Sequence, residues 1–234
     1  MTVSLLRGDG PLRRIGHRGA AALAPANTIA AVEAAVALGV DMVELDVLGR
    51  PDRTLVLGHS HRELVAEHTT AEDVFAFLSE QSPQTGLLAD VKGAGFEREL
   101  VEALRRYDLV GRTVASTYGL AKLQVLRRLE PDLTLSRTYP PSRLAFGRRR
   151  FVPIVGPVRT CVRLTLPYRI ESIVGEADVA AMTLDYRLIT EAAVERCHTF
   201  GVAVLAWTVN DRAVLRKLDA LGVDGVISDD PRIF

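Results

Sequence analysis

Eight short apolar runs, separated by amphipathic or turn-rich stretches, constrain this chain more than any other feature. They end near Ile15, Val47, Val91, Ala115, Leu135, Met182, Ala206 and Ile227. The amphipathic stretches include residues 27–38, 97–107, 120–129, 191–200 and 212–221. Strand-length apolar runs alternating with helix-length periodic segments specify βαβ units on a parallel sheet. Eight such units in 234 residues fit a (β/α)8 barrel, near the lower end of that architecture's size. A doubly wound open sheet shows the same alternation, and periodicity does not separate the two.

Helix punctuation agrees with this phase. Gly39, Gly201 and Gly222 stand where three of the helices should stop. Asn27 or Thr28 is placed to cap the first helix, and Asn210 or Asp211 the last. No linker interrupts the pattern, so a single domain over residues 1–234 is expected. The exception to regularity is the stretch of about 140–170, which carries Pro140, Pro141, Pro153, Pro157 and Pro167. That length within a barrel predicts an elaborated βα loop rather than a minimal one.

Composition narrows the class. Lys plus Arg and Asp plus Glu each number 29, and 48% of residues are hydrophobic. This is the mix of a folded globular chain, and it excludes disordered and disulfide-dense classes. Zero net charge argues against a whole-domain grip on nucleic acid, so no nucleic-acid partner is expected. The balance hides a local excess, because residues 141–170 hold seven Arg and no acid. Cys161 and Cys197 form no C-x-x-C pair and read as reduced thiols. No apolar stretch approaches the ~20 residues of a membrane span, and the N-terminal segment lacks a signal-peptide core. A cytoplasmic protein is expected, with peripheral membrane contact left open.

In a barrel, chemistry gathers where strands end. The first strand runs into His17 and Arg18. The second, M-V-E-L-D-V, carries Glu44 and Asp46 two apart, so both carboxylates face the interior while Val43, Leu45 and Val47 face outward. His59 follows the apolar run at 54–57. Asp90 and Lys92 close the third strand, and Trp207 comes near the seventh. Three inward carboxylates offer only oxygen, which suits a hard divalent cation such as Mg²⁺ or Ca²⁺. Without compensation they would repel one another, and a cation, Arg18 and Lys92 relieve that. Cationic groups for phosphate oxygens, with His17 and His59 to handle protons, make a set suited to phosphate chemistry. Singly, each residue has an ordinary reading: a strand acid, a surface ion pair, a core Trp. His61 competes with His59, whereas His68 and His198 read as structural or exposed. The joint placement at four strand ends favours a site.

These residues resemble the glycerophosphodiester phosphodiesterase family. The resemblance rests on I-G-H-R-G and P-A-N-T within residues 15–28, V-E-L-D-V and L-V-L-G-H within 43–59, and L-L-A-D-V-K at 87–92. It continues through V-A-V-L-A-W-T-V-N-D at 202–211 and G-V-D-G-V-I-S-D-D-P at 222–231. It implies a (β/α)8 barrel, one divalent cation, and cleavage of diesters such as glycerophosphocholine to glycerol phosphate and an alcohol. It implies His17 and His59 as the acid–base pair, and Glu44, Asp46 and Asp90 as metal ligands. Arg18 and Lys92 would contact phosphate, and Trp207 would line the substrate pocket. Three positions depart from the family pattern: Ala26 for a Glu, Asp90 for a Glu in E-x-K, and Ser60 for an Asp. The D-x-K frame also occurs in related phospholipase D enzymes that form cyclic phosphates, so a lipid phosphodiesterase of that type stays open. So does a catalytically impaired barrel that binds phosphate ligands. The expected partner is a small phosphodiester or a lysolipid, and Arg148, Arg149 and Arg150 are candidates for contact with an anionic membrane.

Overall fold

The computed structural model describes residues 5–62, 69–140 and 152–234, with the backbone alone for 152–155. Nine strands form its sheet: β1 Arg13–His17, β2 Met42–Gly49, β3 Leu55–Leu57, β4 Gly86–Val91, β5 Thr113–Thr117, β6 Thr134–Tyr139, β7 Ala181–Asp185, β8 Ala203–Trp207 and β9 Gly225–Ser228. Seven helices accompany them: α1 Ile29–Ala37, α2 Ala71–Glu80, α3 Glu97–Arg106, α4 Leu120–Leu129, α5 Val152–Gly175, α6 Glu191–Thr199 and α7 Arg212–Ala220.

Closure distinguishes this sheet from an open one. β1 pairs in parallel with both β2 and β9, and β2 pairs with β4, so eight parallel strands make a complete ring. β3 lies outside the ring, antiparallel on the far end of β2. The fold is a (β/α)8 TIM barrel. All eight apolar runs became barrel strands, and β3 is the short run that precedes His59.

Alternation along each strand sorts the side chains. Val43, Leu45 and Val47 pack in the layer between strands and helices, while Met42, Leu88, Val114 and Ile227 fill the barrel interior. Glu44 and Asp46 share the interior face with Met42, as the spacing requires. The interior core is small, and its upper part is polar.

Helix caps resolve the two ambiguous starts. The Thr28 side chain accepts from Ala31 N–H to cap α1, and Asp211 accepts from Ala213 and Val214 to cap α7. Asn27 and Asn210 are therefore free for other bonds. Gly222 follows α7 with φ 82, a conformation open to Gly at little cost. α2 was not among the expected segments. Its start is a capping box between Thr70 and Asp73.

The elaborated connection after β6 is mostly helical. α5 is 24 residues long and carries Pro157 and Pro167 within it. The length of the segment predicted an elaborated βα loop, and its prolines concealed the helix within it. Leu166, Ile170, Ile173 and Val174 are buried, and packing of that stripe outweighs the local cost of proline. From 156 to 165 no side chain is buried. Arg148, Arg149 and Arg150 lie outside the described residues, as does His68. Among the described residues no helix is long and apolar enough to cross a membrane.

Candidate active site

The eight singled-out side chains meet in one cavity of about 560 Å³ at the C-terminal end of the barrel. His17, Arg18, Glu44, Asp46, His59, Asp90, Lys92 and Trp207 all line it. Register explains part of this: β2 and β4 pair with Asp46 opposite Asp90, so two carboxylates enter at one level. Ligand oxygens of Glu44, Asp46 and Asp90 fall within 4.8 Å of one another.

Each carboxylate has a different set of partners. Asp46 is 1% exposed. One oxygen lies 2.9 Å from Lys92 Nζ and 3.5 Å from His59 Nδ1. The other lies 3.0 Å from Arg18 Nε and accepts from Asn27 Nδ2 at 3.1 Å. Lys92, His59 and Arg18 hold the Asp46 carboxyl well below the usual carboxylate range, against the opposing effect of burial. Asp90 accepts from Lys92 Nζ at 2.5 Å through one oxygen, while its other oxygen is buried without a hydrogen-bond partner. Burial raises its pKa despite Lys92. Glu44 accepts from the backbone N–H of Arg18 at 2.9 Å. Burial, with Asp46 and Asp90 nearby, pushes its pKa up to about 7, while His17 opposes the rise. Burial alone would lower Lys92, but Asp90 and Asp46 reverse that and hold it firmly protonated.

The two histidines are positioned differently. His17 Nδ1 lies 2.5 Å from Asp229, and its Nε2 is 3.7 Å from Glu44. Burial opposes a charged His17 ring, but Glu44 and the Asp229 bond prevail and raise its pKa. Asp229 is fixed in turn by Asn210: Nδ2 donates to its carboxylate at 2.6 Å, and Asn210 Oδ1 accepts from its backbone N–H. His59 faces Asp46 and lies 3.4 Å from an Arg18 guanidinium nitrogen. His61 lies 3.1 Å from the Gly49 carbonyl and does not line the cavity, and His198 bonds Asp224 near the opposite end of the barrel.

Three residues escaped the reading of single positions. Asn27 braces β2 from both sides, donating to the Asp46 carboxylate and accepting from the Asp46 N–H at 3.1 Å. Its backbone adopts φ 60, in the left-handed region that Asn tolerates. Asn210 and Asp229 hold His17. All three stand inside motifs already noted, P-A-N-T, W-T-V-N-D and S-D-D-P, so the signal was present without a role. Below the charged layer, Ser116, Thr138 and Thr183 add hydroxyls to the cavity wall, and Ser116 Oγ and Thr138 Oγ1 are 2.5 Å apart. Tyr118 sits over Lys92, and burial pushes its phenol up to about 12.

The donor set fits a hard divalent cation. It offers only oxygens, they converge, and one buried Asp90 oxygen has no hydrogen-bond partner. Lys92 and Arg18 compensate the three carboxylates in part, and burial, together with the neighbouring carboxylate charge, raises the Glu44 and Asp90 pKa values.

The model of the glycerophosphoryl diester phosphodiesterase family matches residues 17–81 and 87–233. The chain belongs to this family. As a member of the glycerophosphoryl diester phosphodiesterase family it is an enzyme of the phosphoric diester hydrolase class. It is 24% identical to a glycerophosphodiester phosphodiesterase of Caldanaerobacter subterraneus, over 93% of this chain and 93% of that protein. It is 22% identical to a lysophospholipase D of Homo sapiens, over 93% of this chain and 82% of that protein. Among solved structures it is similar to an Oleispira antarctica phosphodiesterase in complex with the product sn-glycerol-3-phosphate. That likeness has a TM-score of 0.72 at 22% identity, covers 95% of this chain and 94% of that one, and concerns the fold.

Proposed function

We propose that this chain hydrolyses glycerophosphodiesters to glycerol phosphate and an alcohol, or lysophospholipids to acylglycerol phosphate and an alcohol. One observation carries the reading: three convergent carboxylates and two histidines share a single cavity with Arg18 and Lys92. Glu44, Asp46 and Asp90 would hold one divalent cation, Mg²⁺ or Ca²⁺. When bound, it would supply charge neutralisation and polarisation of a phosphoryl oxygen.

The chain's own groups supply the rest. Arg18 and Lys92 bind and orient the phosphate, and their positive charge favours the transition state over the diester. His17 and His59 act as the acid–base pair. One removes the proton from the attacking water or adjacent substrate hydroxyl, and the other protonates the leaving alkoxide. Asp229 and Asn210 are positioning residues. A carboxylate at Nδ1 fixes the His17 tautomer so that Nε2 stays available to the cavity. Trp207, whose indole N–H donates to the Thr183 carbonyl at 3.1 Å, presents a fixed apolar wall to the alcohol portion. Ala26 is exposed beside Asn27, so this departure from the family pattern lies on the rim rather than among the three carboxylates.

The test is a panel of glycerophosphodiesters and lysolipids, assayed with Mg²⁺, with Ca²⁺ and with EDTA. Release of glycerol phosphate, or of acylglycerol phosphate from a lysolipid, that vanishes in His17→Ala supports the reading. No turnover of any member with either metal would remove it, in favour of a phosphate-binding barrel. A cyclic phosphate as the final product in phosphorus NMR would reassign it to the lyase type.

A further inference from the structure

On the outer wall, α5, the turn after β7 and α7 enclose a groove of about 820 Å³. Arg159, Arg163, Arg187 and Lys217 line it, and no acid does. Arg187 is matched by Asp185 at 2.6 Å. Arg159, Arg163 and Lys217 have no acidic partner among the described residues, so three positive charges remain uncompensated. The floor is apolar, with Ile189, Val214, Leu218 and Leu221. Cations around an apolar floor complement an anion joined to hydrocarbon.

The rest of α5 points the same way. The two most exposed large apolar side chains among the described residues are Tyr168, 88% exposed, and Leu164, 66%. They stand one helical turn apart, on the same row of α5 as Thr160, which lines the groove. Beside a cationic groove, this adjacent pair offers an apolar contact to the same partner. A second copy of this chain does not suit it, because a two-fold contact would bring the same arginines together. Nor does a free inorganic anion, which leaves Leu164, Tyr168 and the groove floor unused.

We infer that the α5–α7 groove binds the phosphate of an anionic phospholipid, with Leu164 and Tyr168 entering the lipid surface. The contact is peripheral and separate from the catalytic cavity. It does not depend on the hydrolytic reading, because none of these residues lines that cavity.

The test is flotation of the full chain with phosphatidylcholine vesicles, with and without phosphatidylglycerol. Binding is expected only to the anionic vesicles. R159Q/R163Q/K217Q should weaken it about a hundred-fold, since each nearby cation contributes ~1 kcal/mol. L164S/Y168S should weaken it about ten-fold. Both variants replace surface side chains and should keep wild-type turnover of soluble glycerophosphocholine, so loss of lipid binding and loss of hydrolysis are read separately. Wild type that ignores anionic vesicles, or binds them equally well in both variants, would overturn the proposal. Displacement by millimolar inorganic phosphate, with L164S/Y168S unaffected, would overturn it in favour of a free-phosphate site. Self-association abolished by L164S/Y168S, without vesicle binding, would overturn it in favour of a second copy.

Discussion

Two aspartates near opposite ends of the barrel share the same burial and have opposite surroundings. Asp46 and Asp224 are each 1% exposed. Asp224, just before β9, accepts from the backbone N–H groups of Arg7 and Val204 at 3.0 and 2.8 Å, and lies 2.8 Å from His198 Nε2. Two of those partners are main chain, set by the fold itself. Asp46 is held instead by the side chains of Lys92, Arg18, Asn27 and His59, beside two further carboxylates. A buried charge met by backbone donors strengthens the structure around it. Side-chain cations meet the charge of Asp46, while the carboxylates crowded beside it, Glu44 and Asp90, cost stability unless another cation arrives. The difference separates an end that serves the fold from an end that the fold sustains for chemistry.

That contrast can be broken by mutation. Asp46→Asn should reduce kcat/KM by about 10³-fold or more, and should also lower the melting temperature, because Lys92 and Arg18 lose a buried partner. A variant of near-normal activity would show that this buried charge is structural after all. Asp229→Ala should lower kcat by about 10²-fold with a smaller change in KM, and should shift the pH–rate profile, because His17 loses its orienting partner. An unchanged profile would leave Asp229 with no positioning role. Asp224→Ala should behave in the reverse way. It strands two buried N–H donors and should cost about 2–3 kcal/mol in urea unfolding, while the folded fraction keeps its kcat. A catalytic defect without a stability loss would erase the distinction between the ends.

Two further tests sharpen it. With divalent cations removed, the folded state holds a proton on Glu44 up to about 7, above the ordinary carboxyl value of 4.5. This contribution to stability is fully present below 4.5 and is lost as pH rises through about 7. The melting temperature in EDTA should therefore fall between about pH 4.5 and 7, and saturating Mg²⁺ or Ca²⁺ should flatten the fall. A curve in EDTA as flat as the one with cation would contradict the crowding of charge at the mouth. The smallest effect concerns the thiols. Cys197 is buried, with its pKa pushed up to about 12, and Cys161 is exposed. A thiol reagent at pH 8 should label one Cys per folded chain and two after unfolding.

Much of this was legible in the sequence, for identifiable reasons. Period-two spacing placed Glu44 and Asp46 on one face, because strand geometry allows nothing else. Strand-end position predicted a shared site for His17, Asp90 and Lys92. The helix at 152–175 was obscured by its prolines, since local propensity carries no information about the barrel wall that Leu166 and Ile170 cover. The role of Asn27 was hidden as well, since an Asn before Thr28 reads as a cap. Its actual bonds go to a strand 19 residues away.

Periodicity and residue spacing were enough for the eight barrel strands, the inward carboxylates and the phosphate chemistry they suit, while cleavage of a diester was implied by the family resemblance. Both are local properties of backbone geometry, readable from order along the chain. Closure of the ring required the pairing of β1 with β9, and the Asn210–Asp229–His17 relay required residues more than 200 positions apart to meet. The groove between α5 and α7 likewise joins segments that no local pattern relates. These arrangements come from long-range packing, where each side chain's partner is set by the whole enclosed barrel rather than by its neighbours in sequence.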